Sequence, residues 1–292
     1  MKIVAVSDLH MPGKNDFNLF HALKDLPAEI DVLVLGGDIA SSSELLSPSL
    51  QKLEKMLDDY NITVKHRVFV PGNHEIYKRK ESQNPILKFL GFGKPDSVKV
   101  YEGLASIVAD HGYHMLDEKP LVIDGVAFVG NIGWYDYSFR NNTDLEVVVN
   151  GRLKKLKDFK DSDYASKKAQ DPKSGKTFVW PDKNTFNDKE FTDQCLEKLE
   201  QDLEQVKDYK NIIVVMHNVP FKQNLSRSGS PFIQFTTAYM GSERFGELIR
   251  KYPVRTVIHG HAHSGSGDYK VDGVDCHNVA FKRKIKIIDY SR

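Results

Sequence analysis

The stretch Lys2-Ile3-Val4-Ala5-Val6-Ser7-Asp8-Leu9-His10 sets a continuous apolar run directly before an aspartate and a histidine two positions apart. A short run of β-branched and small apolar residues, closed by polar ones, reads as a strand buried on both faces. Asp8 and His10 then stand where the chain leaves the sheet, and a carboxylate and an imidazole placed there can converge on one cation. Taken alone, Asp-x-His suits a solvated loop pair better than a ligand pair, so the reading turns on whether the chain repeats the arrangement.

It does so four more times. Val32 to Leu35 runs into Gly36-Gly37-Asp38, and Val68 to Val70 into Pro71-Gly72-Asn73-His74-Glu75. Ile212 to Met216 runs into His217, and Val254 to Ile258 into His259-Gly260-His261-Ala262-His263. Open α/β sheets gather their ligand sites at the carboxyl ends of strands, and that is where these side chains fall. Between the runs, Phe17, Phe20 and Leu23, then Leu45 to Leu57, then Leu196, Leu199, Leu203 and Val206, then Phe245, Leu248 and Ile249 carry helical spacing. The alternation is that of an α/β protein. Asp124-Gly125 and Asp272-Gly273 each separate β-rich segments and suit type I′ hairpin turns, which makes the sheets mixed rather than purely parallel.

Composition narrows the function classes. The 292 residues carry 41 Lys and Arg against 40 Asp and Glu, for a net charge of +1, which leaves little electrostatic footprint for a nucleic acid. Cys195 and Cys276 form no CxxC pattern, so neither a disulfide framework nor a thiolate zinc site is indicated, and a reducing cytoplasm fits. No run approaches the roughly 20 apolar residues that span a bilayer, and the apolar start is too short for a signal peptide. A single domain over residues 1–292 is expected, with an inserted lid at about 134–193. The reason is Arg152 to Lys189, where 11 Lys and Arg face 6 Asp and aliphatic residues are few. Trp134 and Tyr135, which follow the β-rich Val126 to Val129, either line a substrate pocket or cover the edge of the core.

The ordered blocks Asp8-x-His10, Gly37-Asp38, Gly72-Asn73-His74-Glu75, His217 and Gly260-His261-x-His263 resemble the calcineurin-like metallophosphoesterase family. The resemblance implies an α/β (α+β type) fold, a two-layer mixed β-sandwich flanked by helices, with a binuclear metal centre on one edge. It assigns Asp8, His10 and His263 to a first metal, Asn73, His217 and His261 to a second, and Asp38 to a bridge between them. Oxygen and imidazole donors without thiolate suit Mn, Fe or Zn. His74 resembles the family's non-ligand histidine, which protonates the leaving alcohol or orients the scissile group; Glu75 is expected to hold a neighbouring ligand or loop in place. The implied reaction is hydrolysis of a phosphomonoester or phosphodiester by attack of a metal-bridging hydroxide, two cations offsetting the charge that repels the nucleophile. The expected substrate is a small molecule or nucleotide, with no membrane partner. Nuclease action on nucleic acid and a non-catalytic metal-binding scaffold are the alternatives. The sequence carries no sign of oligomeric state.

Overall fold

The computed structural model describes residues 1–292 except 14, 77, 80–96, 150, 170–175, 178–186, 265–266 and 291–292. Strands β1 (Lys2–Val6), β2 (Glu29–Leu35), β3 (Thr63–Phe69) and β4 (His114–Met115) lie parallel in one sheet. Strands β5 (Leu121–Ile123), β6 (Val126–Asn131), β7 (Asn211–Met216), β8 (Val254–His259), β9 (Gly267–Val271) and β10 (Val274–Asn278) form a second, in the order β9-β10-β8-β7-β6-β5. The last strand, β11 (Lys286–Asp289), returns to the first sheet and runs antiparallel along β1. The β5–β6 and β9–β10 hairpins are the antiparallel pairs of the second sheet. Their turns put Asp124 and Gly125 at φ 49° and 80°, and Asp272 and Gly273 at 51° and 89°, as a type I′ turn demands.

Alternation along each strand explains why the apolar runs are continuous. Ile3, Ala5, Val32, Val34 and Val68 of the first sheet meet Phe128, Ile213, Val215 and Ile258 of the second in one apolar layer. Their neighbours Val4, Val6, Leu33, Leu35, Ala127, Val129 and Val214 turn the other way, into the core beneath the helices. Both faces are therefore buried, at about 1.5–3 kcal/mol for each large aliphatic side chain removed from water.

The helices are α1 (Asn15–Leu23), α2 (Leu46–Asp59), α3 (Asn73–Ile76), α4 (Ser97–Ala109), α5 (Asp161–Ala169), α6 (Asp188–Val206), α7 (Pro231–Thr236) and α8 (Glu243–Ile249). In α6, Phe191, Cys195, Leu199 and Leu203 recur on one buried face, the spacing of a helix laid on a sheet. Asn187 starts that helix by accepting hydrogen bonds from the Lys189 and Glu190 amides.

The segment expected as a lid, at about 134–193, holds both exposed and buried parts. A hairpin of Glu146–Val149 and Arg152–Lys155 leaves Val148 and Leu153 exposed. After it, Leu156, Phe159 and Tyr164 are buried in the main core, with Tyr164 stacked on Phe235 at 4.9 Å between ring centroids. At its end, residues from Asp188 onward are the first turns of α6. Lysine enrichment in this segment reflects solvated faces and ion pairs such as Lys154 with Asp163 and Lys157 with Asp144. Residues 170–175 and 178–186 of the expected lid lie outside the described residues.

Candidate metal centre

Each of β1, β2, β3, β7 and β8 ends at the same rim of the sandwich, and the chain stitches the two sheets together there. The Ser7 amide donates to Val279 O and the Phe281 amide to Ser7 O, at 3.1 and 3.0 Å, so the exit of β1 is tied to the segment after β10. The Gly260 amide likewise donates to His217 O at 3.1 Å. Asp8, His10, Asp38 and His261 then all adopt left-handed backbone, with φ between 52° and 65°. For a residue with a Cβ that conformation costs about 1–3 kcal/mol and persists only where the surroundings impose it.

The surroundings impose it through Glu75 and two glycines. Fully buried Glu75 accepts the Asp38 and Gly72 amides on Oε2, at 2.8 and 2.7 Å, and the Ala40 amide on Oε1 at 2.8 Å. One carboxylate thus fixes the loops after β2 and β3, as its sequence position led us to expect. Gly72 has no room for a side chain, since a Cβ would stand 2.2 Å from Asp38 Oδ1. At Gly260 a Cβ would stand 2.2 Å from Ser7 Oγ and 2.5 Å from Asp8 Oδ2, so this glycine admits the aspartate loop.

On this frame the predicted side chains converge. Asp8, His10 and His263 offer donor atoms within 4.8 Å of one another; so do His10, Asp38 and His74, and so do Asp38, His217 and His261. His263 Nε2 stands 3.0 Å from Asp8 Oδ1. Asp38 Oδ2 lies 3.9 Å from His10 Nε2, 3.8 Å from His74 Nε2 and 3.5 Å from His217 Nε2, which puts this carboxylate at the centre of the group. Asn73 Oδ1 is 3.1 Å from His217 Nε2. His74 stays half-buried beside Asp38, whose Oδ1 accepts its backbone amide at 2.7 Å.

The donor chemistry fits cations. His217 Nδ1 faces Gly36 O at 2.9 Å, and a carbonyl only accepts, so Nδ1 carries the hydrogen. The ring's other nitrogen then turns a lone pair toward Asn73 Oδ1 and Asp38 Oδ2, an arrangement that only a proton or a cation reconciles. Burial opposes a proton on His217, but the charge and hydrogen bond of Asp38, with the Asp8 charge and Gly36 O, together outweigh it and push the ring up to about 10. Burial likewise works to raise Asp8 and Asp38, yet the surrounding imidazoles hold both carboxyls below their usual range. Asp8 and Asp38, two buried carboxylates whose ion-pair partners among the described residues are all histidines, form a site that calls for positive charge. His261 Nε2 meets Tyr239 O at 3.1 Å, which by the same logic fixes its hydrogen and leaves Nδ1 as its donor. Burial and the neighbouring Asp38 push Glu75 up to about 7.

Trp134 and Tyr135 are 0% and 1% exposed in the main core, stacked on each other at 4.8 Å, with Trp134 Nε1 donating to Asp188 Oδ1 at 2.9 Å. Sequence reasoning missed the Tyr239 and Gly36 carbonyls, because a backbone acceptor leaves no residue-type signal. His259 ends β8 fully buried, its Nε2 2.8 Å from the Tyr269 hydroxyl, away from the donor clusters.

Comparison with known proteins agrees with this geometry. The family model described as calcineurin-like phosphoesterase matches residues 1–265. Among solved structures, a phosphopantetheinyl hydrolase from Mycobacterium tuberculosis superposes with a TM-score of 0.67 at 20% identity, covering 96% of this chain and 89% of its own. A dimetal phosphatase from Danio rerio gives 0.46 at 14% identity, covering 96% and 88%. No curated protein matches by sequence.

Proposed function

The chain belongs to the calcineurin-like phosphoesterase family and is a metal-dependent hydrolase of phosphoester bonds, and from that premise we propose that it cleaves a small-molecule phosphomonoester or phosphodiester. The observation that carries this reading is the convergence of Asp8, His10, Asp38, Asn73, His217, His261 and His263 on one rim, with His74 beside Asp38. Asp8, His10 and His263 would hold one cation, Asn73, His217 and His261 the other, with Asp38 shared. When bound, such a pair supplies a hydroxide nucleophile at neutral pH and neutralises the phosphoryl oxygens, and Mn, Fe and Zn all suit these donors.

The protein's own groups supply the rest. Gly36 O and Tyr239 O fix the tautomers of His217 and His261, so both rings present a lone pair without reorganising. Glu75 holds Asp38 and the Asn73 loop at a fixed separation. His74 Nε2, on the half-exposed side of Asp38, stands where it can hand a proton to the departing alkoxide. The test is turnover of 4-nitrophenyl phosphate and bis(4-nitrophenyl) phosphate with added Mn²⁺, alongside measured metal content. Chelation should abolish activity. A metal-loaded protein inert across a broad phosphoester panel would sink the reading and leave a scaffold in its place.

A further inference from the structure

Beside the rim lies a cavity of about 510 Å³ that none of the assignments above uses. Its walls come from the loop after β6, the loop after β7, and the neighbourhood of α7 and α8. Arg140, Lys222, Arg227 and Glu243 line it, three cations against one carboxylate. Lys222 is engaged by Glu243 at 3.0 Å and Arg140 by Asp161, whereas Arg227 makes no ion pair among the described residues. Arg227 is nonetheless not on a slack loop. The Gln234 side-chain amide donates to both carbonyls that flank it, Ser226 O at 3.1 Å and Ser228 O at 2.6 Å. The Ser228 and Ser230 amides donate to the Ser226 and Ser228 hydroxyls, at 3.2 Å each, which closes the loop on itself.

Packing and hydrogen bonds tie the cavity's lining to the loops of the candidate metal centre. Leu225, on its lining, packs in one apolar cluster with Phe139, Val219, Met240 and Ala262, and Ala262 stands between His261 and His263. A single amide, Asn278 Nδ2, donates both to Asn224 Oδ1 at 2.8 Å and to Ala262 O at 2.9 Å, joining the two loops. Thr237, also on the lining, donates to Phe139 O at 3.0 Å and lies two residues before Tyr239, whose carbonyl orients His261.

Resting on the phosphoesterase reading, we infer that this cavity is a second anion subsite: it takes a distal phosphate of the same small substrate, with Arg227 as its recognising cation. A guanidinium with no ion pair among the described residues, on a braced backbone, is suited to phosphate, since little loop freedom is left to lose on binding. The sequence Ser226-Arg-Ser-Gly-Ser230 had no residue periodicity to draw notice. What marks it is the Gln234 clamp.

The experiment compares adenosine 3′,5′-bisphosphate with adenosine 5′-monophosphate as substrates of the Mn²⁺-loaded protein, wild type against Arg227→Glu, Arg227→Lys and Gln234→Ala. The ratio of kcat/KM for the bisphosphate over the monophosphate should fall about tenfold in Arg227→Glu, the scale of one charge-assisted contact. It should recover partly in Arg227→Lys and fall by less in Gln234→Ala. Calorimetric binding of the bisphosphate runs in parallel and needs no turnover. If nitrophenyl esters are hydrolysed but neither the ratio nor the affinity moves in Arg227→Glu, the subsite is refuted and the phosphoesterase reading stands. If nothing is hydrolysed yet Arg227→Glu still abolishes bisphosphate binding, the reading fails and the anion site survives it. Tighter, salt-steep, Arg227-dependent binding of an oligodeoxythymidylate than of the bisphosphate would overturn the small-substrate form of the inference.

Discussion

The strand-end rim and the aromatic region behind it are built on opposite terms. At the rim, Asp8, His10, Asp38 and His261 sit in left-handed backbone, the carboxylates of Asp8, Asp38 and Glu75 are buried, and stability is given up to hold a constellation. Behind it, Trp134, Tyr135, Tyr137, Tyr164, Phe235 and Tyr239 form a packed run of ring contacts, anchored by buried Asp188, which accepts from Trp134 Nε1 and the Tyr137 hydroxyl. The difference teaches where function and stability are kept. Changes at the rim should cost activity, and stability in so far as they release bound metal, whereas changes in the aromatic region should cost stability with the metal kept.

The largest expected effect breaks the rim. Asp38→Ala should lose bound metal and at least about a thousandfold in kcat, because the central donor vanishes; metal content and turnover measured together check it. His74→Ala should keep its metal and still lose about 10² to 10⁴ in kcat, the usual worth of a positioned proton donor. Normal turnover in that variant would remove His74 from the chemistry. In the aromatic region, Asp188→Ala strands a buried indole N–H and a buried phenol at once. Denaturant unfolding should show a loss of about 3 kcal/mol, with metal content unchanged in the folded fraction.

The smallest effect sharpens the comparison away from any donor cluster. Burial lifts the Asp117 carboxyl well above its ordinary 3.8, with Tyr101, Glu118, Cys195, Lys198 and Asp202 around it. The folded state thus holds a proton that the unfolded chain releases above pH 3.8, so this group's contribution is complete below that pH and is lost as pH rises toward the raised value. Asp117→Asn should flatten stability against pH by up to about 1.4 kcal/mol per pH unit in that window, read from urea midpoints.

Most of the rim could be read from the chain because each donor directly follows an apolar run, so strand and donor announce one another. Both hairpins were equally legible, since Asp-Gly tolerates the positive φ that the turn requires. Strands as short as His114–Met115 have no period to detect, and Lys286–Asp289 is only half-buried against β1. Asp188 meets Trp134 across 54 positions, a pairing that no local pattern encodes. The aromatic pair stayed ambiguous because a ring at a strand end looks the same whether it faces solvent or core. In the lysine-rich stretch composition is a poor guide to packing: charges on an outward face say nothing of the Phe159 and Tyr164 rings packed inward beside them.

The donors are divided between the layers: Asp8, His10, Asp38 and Asn73 hang from the first sheet, His217, His261 and His263 from the second. Any ion seated among them acts as a rivet through the joint, loaded whenever the two layers begin to part. The protein's resistance to heat and its grip on metal would then be two readings of one quantity, and a chelator would loosen the sandwich from the same edge at which it silences the chemistry.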